Sequence, residues 1–204
     1  MAKLKKTKNE LKAQREALRR YERFLPTLEL KKQQLQREVR RTEAALRAAA
    51  AREAAVLDGL RPWAKLVSEQ PGLTDYVRVE GVDVETANIA GVNVPVLAGV
   101  RFTAPAIDYF AAPAWLEDAV DVLTALTRSR AEQRVLGRCR DMLAEELRIT
   151  AQRVNLFEKV MIPRALDNIR IIRIALGDAQ TAAVARAKLA KSKTVSVLSG
   201  RASA

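Results

Sequence analysis

From Leu4 onward, apolar or small side chains return in alternating steps of three and four. The series runs Leu4, Thr7, Leu11, Gln14, Leu18, Tyr21, Leu25, Leu28, Lys32, Leu35, Val39, Thr42, Leu46, Ala49, Glu53, Val56, Leu60 and Trp63. A stripe with a period of 3.5, sustained over about eight heptads, predicts a helix that winds left-handedly against a partner. A second stripe follows late in the chain: Leu143, Leu147, Thr150, Val154, Phe157, Met161, Arg164, Asn168, Ile171 and Ala175. Upstream of it, Leu116, Leu123, Leu126 and Leu136 carry the stripe on with one slip in phase, as a stutter does. Lys32, Glu53, Arg164 and Asn168 fall on these seams, where polar groups cost stability and can fix register.

Between the arms the pattern changes. Pro71, Gly72, Gly81, Gly91, Pro95, Gly99 and Pro105 exclude a continuing helix. Tyr76, Val77, Val79, Val82 and Val84, then Val92, Val94, Val96, Val100 and Phe102, predict two strands of a hairpin. The expected architecture is therefore all-α dominated: a long, bent, antiparallel two-helix coiled coil with a small β-hairpin insert at its distal end. Its parts are a helix over residues 1–62, the insert over 63–112, a second helix over 113–190 and a flexible tail over 191–204. Pairing outward from the insert sets each residue opposite roughly 175 minus its own number, given equal helical rise in both arms. Pro26 and Pro163 lie inside the two registers, and the phase survives them, so both are expected to kink their helices rather than break them.

Composition narrows the chemistry. Aromatic residues make up 4% of the chain against 49% hydrophobic and 29% charged, the balance of an extended helical protein rather than a thick globular core. Histidine is absent, which removes the commonest general base and the commonest metal ligand. The eight glycines are scattered and begin no phosphate-binding loop. Carboxylate pairs such as Asp83/Glu85 and Glu145/Glu146 read as solvated surface, and the lone Cys139 as a small seam residue. No catalytic residue, metal site or cofactor is expected. Neither a signal peptide nor a run long enough for a membrane helix is visible.

The net charge of +12 lies on two basic arms flanking an acidic middle, so nucleic acid is the first polyanion to weigh. Arg15, Arg19, Arg20, Arg23, Arg37, Arg40 and Arg41 are, however, interleaved with Glu10, Glu16, Glu22, Glu29, Glu38 and Glu43. That mixture is the habit of an exposed coiled-coil face, and no DNA- or RNA-reading module accompanies it. The residues by themselves leave open a structural coiled-coil scaffold and a nucleic-acid-binding coiled coil.

Three stretches resemble a known family. They are Leu25-Pro-Thr-Leu-Glu-Leu-Lys-Lys-Gln-Gln-Leu, Asn88-Ile-Ala-Gly-Val-Asn-Val-Pro-Val, and Arg153-Val-Asn-Leu-Phe-Glu-Lys-Val-Met-Ile-Pro continuing to Asp178-Ala-Gln-Thr-Ala-Ala-Val. Together they are similar to the D subunits of V-type and archaeal A-type rotary ATPases. The resemblance implies a non-catalytic central rotor shaft with its paired termini in a hexamer of A and B subunits. It also implies a small companion, the F subunit of the central stalk, and a funnel-like adaptor on the membrane ring. All would lie on the cytoplasmic face of the membrane, with no insertion of the shaft into it. The periodicity builds the seam from Leu11, Leu18, Leu25, Leu28, Leu35, Val39, Leu46, Leu143, Leu147, Val154, Phe157 and Met161. The projecting tip would then meet the hexamer through Arg170, Arg173, Thr181, Val184, Arg186, Lys188 and Lys191.

Overall fold

The computed structural model describes residues 4–69, 76–103 and 113–201. The first helix, α1, spans Lys8–Leu60. Thr7 starts it: its Oγ1 accepts the Glu10 N–H at 3.3 Å, so a position on the apolar stripe is used as a helix cap. Pro26 sits inside α1, which runs on unbroken. A 3₁₀ turn at Arg61–Trp63, opened by Pro62, leads into the short helix α2, Ala64–Glu69, so helical structure passes residue 62.

Strands β1 (Arg78–Ile89) and β2 (Val92–Thr103) form one antiparallel hairpin. Its turn is Ala90-Gly91, with φ of 52° and 80°, the double left-handed geometry that suits the right-handed twist of a two-residue hairpin loop. Asn88 fastens it by accepting the Gly91 N–H on Oδ1 at 3.1 Å and donating to Asn93 at 2.8 Å. The pairing slips at Val79/Gly81 and again at Asp83/Val84. Gly81 lies where the Arg101 side chain crosses to Asp83, and a Cβ there would meet the guanidinium at 2.8 Å.

Helix α3 covers Leu116–Leu156, a π turn follows at Phe157–Met161, and helix α4 runs from Ile162 to Arg201. The helix thus continues past residue 190. Among the described residues no helix is long and apolar enough to cross a membrane.

Two compact units divide the chain. One comprises Leu30–Ala151. Here α1 buries Leu35, Thr42 and Ala49, one heptad apart, and α3 buries Leu126, Cys139, Leu143 and Thr150. Val39 and Leu147 are partly buried against the Leu35–Cys139–Leu143 cluster, and Leu46 is half-buried on the same stripe. Antiparallel pairing shows in the ion pairs Lys31–Glu146 at 2.7 Å, Arg52–Glu132 at 2.9 Å and Arg130–Glu53 at 2.8 Å. Partners therefore lie a few residues further along α3 than equal-length arms require. The hairpin packs on this coil: Val94 is fully buried in the Leu35–Cys139–Leu143 cluster, with Ile89, Ala90 and Val92 beside it. A second small cluster joins Leu116 and Ala119 to Tyr76, Trp115, Val120 and Leu123.

The other unit comprises Met1–Glu29 and Gln152–Ala204. Leu11, Leu18, Leu25 and Leu28 are half-buried along α1. The Tyr21 and Phe157 rings lie 5.4 Å apart, and Asn168 donates to Gln14 at 3.3 Å. Val154 is buried and Phe157 and Met161 are half-buried, all at coiled-coil spacing. Beyond the π turn the spacing changes. Ala165, Ile169 and Ile172 are buried (3%, 6% and 0% exposed), whereas Arg164 is exposed and Ile171 is 42% exposed. The seam has advanced by one residue from the expected Arg164, Asn168 and Ile171. The cause is local: the Ile162 N–H bonds back five residues to the Phe157 carbonyl, so one extra residue is taken into the turn.

Candidate functional site

The candidate features are two grooves, one in each compact unit, and the carboxylates and cysteine along the helices. Among the described residues no group of His, Cys, Asp or Glu could hold a metal ion. Cys139 is buried on α3, and burial pushes its thiol above the ordinary cysteine value, which disfavours the reactive thiolate. Glu145 is held below the usual carboxylate range by the Arg148 guanidinium one turn away on the same helix. Arg130 and Gln133 do the same to Glu53 from α3, at 2.8 and 2.6 Å. These carboxylates are tied up in interhelical or intrahelical pairing.

In the unit built from both ends of the chain, α1 and α4 bound a groove of ≈ 800 Å³. Arg15 and Arg19 come from one helix and Arg170 and Arg173 from the other, with Glu22 the one carboxylate among the lining residues. Leu18, Leu166, Ile169 and Ile174 supply its apolar lining. Their placement follows from the π turn: with Ile169 and Ile172 on the seam, Arg170 and Arg173 flank it. Of the tip residues named from the sequence, only these two enter the groove. Thr181, Val184, Arg186, Lys188 and Lys191 all lie further along α4, exposed, with the Thr181 hydroxyl bonded to the Gly177 carbonyl at 3.1 Å. The sequence pattern did not single out Arg15 and Arg19 for this groove, because the pairing rule set them opposite residues near 160. Their i, i+4 spacing beside Leu18 was the available signal.

In the other unit, the hairpin and the two long helices enclose a groove of ≈ 410 Å³. Ile89, Pro95, Val96 and Leu97 form its hairpin wall, and Thr42, Ala45, Leu136 and Cys139 its helical floor, with Glu38, Arg41 and Glu132 at its polar side. Its walls are mostly apolar, with the charged side chains gathered on one side.

Residues 10–192 match the model of a protein family described as the D subunit of ATP synthase. The chain belongs to the ATP synthase D subunit family. Relatives named as D subunits of V-type ATP synthases agree along nearly the full length. The protein of Borreliella burgdorferi is 40% identical over 195 residues, covering 96% of both chains. Those of Chlamydia trachomatis serovar L2 and Chlamydia caviae are 36% and 32% identical, covering 93% of this chain in each case and 95% and 93% of their own. As a member of this family the chain is a subunit of a larger complex and has partners within it.

Proposed function

We propose that this chain is the central rotor shaft of a V/A-type proton- or sodium-translocating rotary ATPase or ATP synthase. It couples ATP turnover in the catalytic hexamer to rotation of the membrane ring, and performs no chemistry itself. The observation that supports this reading most is the family match over residues 10–192, which spans both helical arms and the hairpin together. The buried heptads of α1 support it physically, since a two-helix seam resists twisting. Pro26 and Pro163 are the proposed kinks that would make the shaft off-axis. An off-axis shaft presents a different face to each catalytic site and so biases each toward a different nucleotide state, which is coupling by differential contact.

In this assignment the shaft's partners are the hexamer of A and B subunits, the small F subunit of the central stalk and the funnel-like adaptor of the ring. The chain is peripheral, on the cytoplasmic face of the membrane. Arg170, Arg173, Thr181, Val184, Arg186, Lys188 and Lys191 are the proposed contacts to the hexamer.

Two measurements test the proposal. Affinity purification of the full chain should bring down the catalytic and membrane-ring subunits, and recovery of nuclease-sensitive complexes instead would overturn it. Truncation after Gly177 should leave both compact units helical while weakening hexamer affinity and the coupling of ATP turnover to rotation. Unchanged torque and affinity would show that the bearing contact lies elsewhere.

A further inference from the structure

Four arginines line the groove between α1 and α4. Arg15 and Arg19 stand one turn apart on α1, and Arg170 and Arg173 one turn apart on α4, with Glu22 the one carboxylate beside them. Among the described residues none of the four enters an ion pair. The other unit uses its arginines differently, since Arg52 and Arg130 reach across to Glu132 and Glu53. Like charges one turn apart on a helix repel, so each arginine pair weakens its own helix. Apolar surface adds to that cost. Leu166 and Ile174 line the same groove one turn to either side of Arg170, and they are 50% and 57% exposed.

We propose that this groove is the docking site for an acidic amphipathic helix of a partner protein. Four cations against one carboxylate select a negative segment, and the planar fork of arginine suits carboxylates. The aliphatic pair selects a peptide over a nucleic acid. A phosphate backbone gains nothing from Leu166 and Ile174, whereas aliphatic side chains a turn to either side of the carboxylates cover both. Those two residues lie about 12 Å apart along α4, so two to three turns of a partner helix reach from one to the other. The inference rests on the rotor reading only for the identity of the partner, a neighbouring subunit of the complex. It places the grip where α1 and α4 run together rather than on the end of α4, because α1 supplies half of the arginines.

Fluorescence anisotropy on the full chain, at about 0.15 M salt, provides the test. The probe is a fluorescein-labelled peptide of about 18 residues, with glutamates on one helical face and leucines a turn to either side. A scrambled peptide of the same composition is the comparison, and it should bind at least about tenfold more weakly. Arg15→Gln with Arg19→Gln, and Arg170→Gln with Arg173→Gln, should each weaken the ordered peptide about tenfold. Leu166→Ser with Ile174→Ser should weaken it by about the same factor. Arg37→Gln with Arg40→Gln removes equal charge from exposed positions of α1 outside the groove, so it should change binding less than about twofold. Truncation after Gly177 should also stay within about twofold, because no lining residue lies beyond Ile174. All the substituted positions are exposed, and circular dichroism should show unchanged helicity in each variant.

Equal affinity for the ordered and scrambled peptides would overturn the proposal, as would an equal loss from the Arg37 and Arg40 variant. So would loss of peptide binding on truncation, or a duplex RNA that binds more tightly than the peptide through the same four arginines. Copurification with the complex is read separately. Its absence with peptide binding intact would count against the rotor reading alone. Peptide binding absent with copurification intact would overturn this inference alone.

Discussion

The two sides of the coil solve the same problem differently. Helix α1 keeps one register from Leu11 to Leu60 through a proline, with buried residues one heptad apart at Leu35, Thr42 and Ala49. Its partner side changes register at the π turn, and moves its buried positions from Val154, with half-buried Phe157 and Met161, to Ala165, Ile169 and Ile172. The difference teaches that proline and register are separate variables. Pro26 removes a hydrogen bond from α1 without altering which residues face inward. At the π turn one extra residue rotates everything downstream by about a hundred degrees, the angle per residue of an α-helix.

The largest expected effect breaks or upholds that comparison directly. Ile172→Ala should cost about 2–5 kcal/mol, the range for truncating a fully buried aliphatic side chain. Ile171→Ala, one residue away on an exposed face, should stay within about 0.5 kcal/mol. Denaturant melts of both variants read the register. Equal costs would mean that the seam does not advance.

A smaller effect is expected where the hairpin rests on the α1–α3 seam. Val94 is fully buried against Leu35, Cys139 and Leu143, so Val94→Ala should cost about 1–3 kcal/mol from lost apolar contact and the void left behind. Val84→Ala on the exposed side of the hairpin should cost far less. Parity between the two, by thermal melting, would mean that the hairpin does not bear on the coil.

The polar seam position of α1 gives a pH signature. Arg130 and then Gln133 hold the Glu53 carboxyl below its ordinary range, so its folded pKa lies beneath its unfolded one. Such a group stabilises the fold above the unfolded pKa, and that contribution fades as pH falls through the folded value. The melting-temperature gap between the native protein and Glu53→Gln should therefore be open near neutrality and close below about pH 4. A gap independent of pH would remove the ion pair as its cause.

The smallest effect belongs to Lys31 and Glu146. They meet at 2.7 Å across the helices yet remain partly exposed, so a double-mutant cycle to alanine should give a coupling of about 0–1 kcal/mol. A coupling several times larger would mark this pair, rather than the apolar heptads, as what sets the alignment of α1 with α3.

Much of the architecture was legible from side-chain periodicity. Two helical arms and a valine-rich hairpin follow from spacing and from the placement of glycine and proline, because each pattern suits only one kind of backbone. The hairpin turn itself is written in Asn88 and Gly91, whose side-chain bond and positive φ close it. Thr7 was less legible: on spacing alone it continues the stripe, and only the N–H of Glu10 shows that it is spent on the cap. The register after Met161 was not legible at all. Arg164 and Ile171 keep the heptad, and the adjacent set Ala165, Ile169 and Ile172 is equally periodic.

Sequence by itself determined which segments are helical, which pair as strands, and that the described chain has no histidine-based chemistry. Periodicity is a local property, and local backbone preference answers to it. Tertiary structure decided which of two neighbouring stripes on α4 faces α1, because burying Ile169 and Ile172 instead of Arg164 and Asn168 avoids desolvating a charge. It also decided that the tip of the hairpin lies in the Leu35–Cys139–Leu143 cluster and that Arg15 and Arg19 share a groove with Arg170 and Arg173. Those are contacts between residues far apart in the chain, fixed by how the elements pack and not by the spacing within any one of them.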